Sequence, residues 1–428
     1  MNTKKIGIVF AGLMAVASCV IAAEPVISDV AACQRWPWSP LVDIDFVLAG
    51  TNCDVVITAR YDGAAPFELN PAHMSGDLFD VKPGKGHVVW DPVAAGFGDK
   101  TFPNFKVSVA PLADLDSRTY LILDLITGSY EYAASAPADG WVAASDSTYR
   151  KTKMVFRRIP GGKFNMGYPE AIRNRLAELA GDNKFKIAKY MQHEVTLSSD
   201  YYMSLFLLSE AQYCSITGTL GTAKFNPNMT SPGKYKSCSY NNVRGETSTW
   251  PNGDKYAVED DSIVGKVRKI AAGKLPSGWR IDLPTAAQWE RACKATMPED
   301  WIYYTGGLVT DDAPALTNIV NETASCEICI RWEGTTMAKR TPNQWGIYDM
   351  LGLQQEWVLD YEWSSPSGKA YEPMTDPVGP TSASKRITKG GNTDSSSFYS
   401  VTPVAMNAYA PGTSWTTCRL CIHINPIK

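Results

Sequence analysis

The stretch Gly346–Asp360, GIYDMLGLQQEWVLD, restricts what this chain can fold into. Its aromatic and aliphatic residues belong in a core, and Asp349, Glu356 and Asp360 must go in with them. A carboxylate taken from water into apolar surroundings is costly unless a cation, a metal ion or several N–H donors meet it. Any fold must therefore bring partners to this stretch from distant parts of the sequence.

The chain is long enough to do so. Its 428 residues suggest two or three domains, and 44% hydrophobic content suffices for real cores. The formal net charge of -3 gives no electrostatic reason to expect nucleic acid as a partner. Four histidines, His73, His87, His193 and His423, are scattered without metal-ligand spacing, which argues against a multi-histidine iron or zinc centre.

The first residues read as an export signal. MNTKK is basic, IGIVFAGLMAVASCVIA is apolar, and Ala22 and Ala23 precede the polar EPVISD. Residues 1–23 are read as a signal peptide cleaved near Ala22 or Ala23. VASC, ending at Cys19, also fits a bacterial lipobox, so a lipid anchor at Cys19 is the alternative. The expected location is secreted, periplasmic or cell-surface. The apolar run is short for a membrane span, and no later segment suits one.

Nine further cysteines follow Cys19. An oxidising compartment favours disulfides among them, and the odd number leaves at least one unpaired within the chain. Cys33 and Cys53 could staple the N-terminal region. Cys326/Cys329 and Cys418/Cys421 form two C-x-x-C pairs, readable as a four-thiolate zinc site, as disulfides or as buried thiols.

Two textures divide the remainder. Residues 24–112 carry short alternating or β-branched runs such as LVDIDFVLAG, CDVVITARYDG and GHVVWDP, bounded by turn residues. They predict a small all-β sandwich. Residues 113–152 read as a strand-containing connector with YLILDLITGSYEYA at its centre. Residues 153–428 have frequent tryptophan and glycine, few helical patterns and long loops. The clearest helix follows Leu283-Pro284-Thr285, where Thr285 and Gln288 fit a capping box.

Residues from about Lys153 to His423 resemble the formylglycine-generating-enzyme, or sulfatase-modifying-factor, superfamily. Six motifs carry the resemblance in order: MVFRRIPGGKFNMG, HEVTLSSDYYMSLFLLSEAQYCSITG, GWRIDLPTAAQWERACKA, PNQWGIYDMLGLQQEWVLD, RITKGGN and CRLCIHI. The resemblance implies an α+β, C-type-lectin-like fold with little regular structure.

It also implies cysteine oxidation in a sulfatase-type protein, by oxygen and Cu(I) held on two cysteines shortly after the glycine pair of RITKGGN. Here that segment is KGGNTDSSSFYSVTPVAMNAY, with serines and no cysteine. Hydroxyls are poor Cu(I) ligands, so copper is not expected and no catalytic residue is assigned. A branch of the superfamily that holds iron on three histidines in a helical domain is excluded, because both are missing here.

A third, non-catalytic branch binds ligands through the segment after the glycine pair. Its counterparts here are Asn392, Thr393, Asp394, Tyr399, Asn407 and Tyr409, which suit adaptable recognition of a protein or glycan. A solvated polar loop is the alternative. The family's structural calcium, held by side chains and backbone carbonyls around the apolar turn, maps onto Asp349, Gly352, Gln354 and Glu356. The sequence thus points to an exported, calcium-stabilised binding or assembly scaffold, with a cysteine-oxidising enzyme as the alternative.

Overall fold

The computed structural model describes residues 24–98, 102–112, 115–143, 147–180, 191–220, 231–308, 310–326, 336–363, 372–395 and 398–427. The residues read as an export signal, with Cys19, and Cys329 of the first C-x-x-C pair lie outside them.

The N-terminal region is a two-sheet β structure, as its alternation predicts. One sheet orders Val26–Gln34, Val42–Ala49, Gly84–Trp90 and Met74–Gly76. The other orders Phe67–Glu68, Val55–Arg60 and Lys106–Pro111. Every second residue from Val42 to Leu48 is buried, so one face of that strand feeds the core with Ile44, Phe46 and Leu48. Cys33 is exposed on the first strand while Cys53 is buried, and both thiols are free. The possible staple between them is not formed.

The connector belongs to a larger sheet. Tyr120–Asp124 and Tyr130–Ala133 form a hairpin, and Tyr120–Asp124 pairs antiparallel with Lys153–Ile159. The hairpin is thereby the edge of a six-stranded sheet that continues through Tyr201–Ser204, Cys421–His423 and Arg280–Asp282. Leu121 and Leu123 are fully buried in it. Local sequence marked the strands, but their partner lies thirty residues downstream and left no local trace. Arg158 of this sheet donates to both oxygens of Asp54 in the sandwich, at 2.9 and 3.0 Å, joining the two regions.

The C-terminal part is α+β with short helices. Among the described residues no helix is long and apolar enough to cross a membrane. The Ala286–Lys294 helix starts at Thr285 as its sequence predicts. Thr285 Oγ1 accepts from Gln288 N, and Gln288 Oε1 accepts from Thr285 N, a cap contributing about 1 kcal/mol. A four-stranded sheet of Met406–Tyr409, Arg386–Lys389, Glu356–Tyr361 and Thr417–Cys418 lies beside this helix and carries the residues considered next.

Candidate functional site

Backbone geometry fixes the turn before Glu356. Asp349, Gly352 and Leu353 all have positive φ, at 55, 75 and 59°. Gly352 is required there, since a Cβ would lie 2.6 Å from the Ser325 carbonyl oxygen and 2.7 Å from its nitrogen. Gly352 N donates to Gly390 O and Leu353 N to Ser325 O. The turn is thus tied to the Lys389-Gly390-Gly391 segment on one side and to the end of the Ala313–Thr323 helix on the other.

Glu356 opens the Glu356–Tyr361 strand and is fully buried. Arg419, equally buried, meets its carboxylate through Nε at 3.1 Å and Nη2 at 3.0 Å. Trp289 of the capped helix adds Nε1 at 2.8 Å. Arg419 also donates to the carbonyls of Ser204 and Tyr348. A forked guanidinium with its remaining donors satisfied is a strong partner for a buried carboxylate. The counter-charge for Glu356 therefore comes from the closing CRLC segment.

Asp349 is equally enclosed but differently met. Its Oδ2 accepts from Ala338 N at 2.6 Å, and among the described residues no cation lies within ion-pair distance. Burial pushes its pKa up to about 6, with the Ala338 N–H pulling the other way. Asp360 is raised to about 7 for the same reason, although it accepts from Ala286 N in the first turn of the capped helix. Gln354 donates to the Tyr235 hydroxyl, and its Oε1 accepts from Gln355 N.

Of the four residues predicted to ligate calcium, the two carboxylates are thus in unequal states. Glu356 is ion-paired, and the Gly352 carbonyl accepts from Gln354 N. Asp349 remains the carboxylate that an ion could still serve. Ser325 bridges Gly352 through its backbone, and its buried Oγ has no hydrogen-bond partner among the described residues. Among the described residues no group of three or more His, Cys, Asp or Glu could hold a metal.

Beneath the segment after the glycine pair lies a second ionic cluster. Lys389 and Glu290 are both buried and paired at 3.1 Å, and Lys294 reaches Glu290 at 2.9 Å. Against the push of burial, the two ammonium groups and the Gly167 N–H hold Glu290 down at about 2.

The residues expected to bind a ligand lie on a turn, a 3-10 segment and an edge strand. Asn392 and Ser395 close a turn on one another, with Thr393 half-buried and Asp394 exposed between them. Asn407 and Tyr409 lie on the Met406–Tyr409 edge strand, paired opposite Thr388 and Arg386. Tyr409 packs edge-on against the half-exposed Trp415. Tyr399 is a correction: it is 8% exposed and belongs to the core, because its short 3-10 turn points the ring inward.

Cys418 and Cys421 are likewise separated. Both are fully buried, but Cys418 joins the core cluster shared with the sandwich and Cys421 joins the other. Three residues apart in sequence, they pack into different core clusters. Cys418 instead contacts Cys238, and that hydrogen bond together with burial pushes its thiol well up. Burial does the same to Cys421. Sequence reading missed Arg419 as the partner of Glu356. Its only signal was one arginine inside the closing motif.

A family model described as a sulfatase-modifying factor enzyme 1-like domain matches residues 142–416. A formylglycine-generating enzyme of Thermomonospora curvata is 29% identical over 127 residues, covering 26% of this chain and 37% of that enzyme. The chain thus spans little more than a third of that relative's length. Among solved structures, Treponema denticola variable protein 1 matches at 15% identity and a TM-score of 0.44, over 63% of this chain and 95% of that one. PvdO from Pseudomonas aeruginosa matches at 15% identity and a TM-score of 0.42, over 63% and 94%.

Proposed function

Since the chain belongs to the sulfatase-modifying factor enzyme 1-like family, whose model matches more than half of it, we propose that its domain is a non-catalytic scaffold of that fold, exported from the cell and used for binding or surface assembly. The observation that carries this reading is the state of the thiols. The segment after Lys389-Gly390-Gly391 holds serines where copper-binding cysteines would be required. The thiols nearest to it in sequence, Cys418 and Cys421, are fully buried and held protonated. A thiol that resists deprotonation is a poor nucleophile and a poor metal ligand.

Buried ion pairs at Glu356–Arg419 and Glu290–Lys389 then serve as cross-links of a rigid frame. Rigid frames with polar loops are a common basis for recognition. Asn392, Thr393 and Asp394 form one candidate contact, with Asn407 and Tyr409 on the edge strand as a second. A protein or glycan array probed with the mature protein tests the reading. A specific hit that is lost on substituting Asn392 and Asp394, with folding intact, supports it. A hit unchanged by those substitutions removes the assigned surface.

Calcium belongs to the same proposal, centred on Asp349. Its carboxylate, with backbone carbonyls of the turn, would hold the ion, which would supply the positive charge that Arg419 gives to Glu356. A chelator should then lower the melting temperature. An unchanged melting temperature would remove calcium from the account. The alternative function, oxidation of a cysteine in a sulfatase-type protein, draws on the family alone.

A further inference from the structure

The Ala286–Lys294 helix carries one cation that neither ionic cluster uses. The guanidinium of Arg291 lies over the rings of Phe164 and Trp345, 5.7 and 5.3 Å from their centroids. Two aromatic faces hold a cation in place without engaging its in-plane N–H donors. Among the described residues the buried Arg291 Nε has no hydrogen-bond partner and no carboxylate pairs with the side chain. Arg244 and Arg419, both fully buried in the same domain, donate to carboxylates, and Arg386 donates to the carbonyls of Leu359 and Trp250.

Arg291 lines a cavity of about 340 Å³ between the end of its helix and the Gly162–Met166 strand. The other charges in the lining are engaged. Lys163 pairs with Glu194 at 2.9 Å. Lys294 pairs with Glu290 at 2.9 Å and donates to the carbonyls of Asn165 and Gly167. Glu299 accepts from the Asn165 amide. Glu299 keeps its negative charge, and Arg291 is the cation of the lining with no carboxylate partner among the described residues, presenting a preorganised fork. Position in the last helical turn favours a cation there, through the helix dipole, but gives its donors nothing to bind.

We propose that this cavity is a binding site for an oxyanion, a carboxylate or phosphate group of a small ligand, held in a bidentate manner by Arg291. Planar two-oxygen groups match the guanidinium fork, and ring stacking removes most of the conformational cost of ordering it. The site is separate from the Asn392–Asp394 turn and stands whether or not the scaffold reading holds.

Titration calorimetry of the full chain with sodium acetate and with inorganic phosphate, at constant ionic strength, tests it. Saturable binding of at least one probe is expected, and the tighter probe identifies the group. Arg291→Lys keeps the charge and loses the fork, and should weaken binding about tenfold. Arg291→Gln should abolish it. No saturable heat with either probe overturns the proposal. So does wild-type affinity in a folded Arg291→Gln protein. Should that variant fail to fold, unchanged affinity in Arg291→Lys overturns the bidentate assignment.

Discussion

At one end of the Asp349–Glu356 turn a carboxylate is gripped by a guanidinium and an indole. At the other, a carboxylate of similar burial has one backbone N–H and no ion pair among the described residues. Seven residues separate them, and the surroundings are equally apolar. The difference lies in what the closing strand delivers. Arg419 follows Cys418, whose strand runs parallel to Glu356–Tyr361 and sets the guanidinium against Glu356. Among the described residues no cation comes within ion-pair distance of Asp349, whose proton affinity rises through burial instead. Two carboxylates in one motif can thus play opposite parts, one as a cross-link and one as a buried group of raised proton affinity.

Breaking the gripped end should have the largest effect. Arg419→Met leaves Glu356 buried and unpaired and should cost about 3–5 kcal/mol in urea unfolding. Pairing it with Glu356→Gln should recover much of the loss. If the single variant is as stable as wild type, the ion pair is not the cross-link described. Gly352→Ala comes next. A Cβ there meets the Ser325 backbone at a φ of 75°, so about 3 kcal/mol should be lost, at the upper end of the range for backbone strain.

The Asp349 end makes a pH prediction. The folded pKa of Asp349, about 6, lies above the unfolded value near 3.9. The folded state therefore holds the extra proton between these values. In metal-free protein, stability should rise as pH falls from about 6 toward 4, by up to about 2.5 kcal/mol from this group. Asp349→Asn should flatten that part of the profile and keep an acceptor for Ala338 N. A profile identical in the variant would show that Asp349 does not titrate there. The smallest effect is expected at Asp394, which is exposed. Its replacement by alanine should change stability by no more than about 0.5 kcal/mol while altering any ligand binding.

Much of this was legible in the sequence where the signal is local. Alternation from Val42 to Ala49 marks a strand with one buried face, and Thr285 with Gln288 marks a helix start, because both patterns act within a few residues. The family motifs located the turn and its glycines. What sequence reading missed is pairing over distance. Glu356 and Arg419 are 63 residues apart, and the Tyr120–Ala133 hairpin shows its allegiance only through Lys153–Ile159. Tyr399 illustrates a further limit. Tyrosine serves equally as a contact residue and as a core residue, and only the inward turn of Phe398–Val401 decides between them.

The scaffold proposal depends above all on the burial of Cys418 and Cys421 and on the serines that follow Gly391. Its most direct test is to incubate the mature protein with copper, oxygen and a peptide bearing a sulfatase-type cysteine motif, and to follow the peptide by mass spectrometry. The account predicts that the cysteine stays unmodified, with no oxygen uptake above a peptide-only control. Conversion of the cysteine to the aldehyde, abolished by Cys418→Ser or Cys421→Ser in protein that still folds, would contradict it.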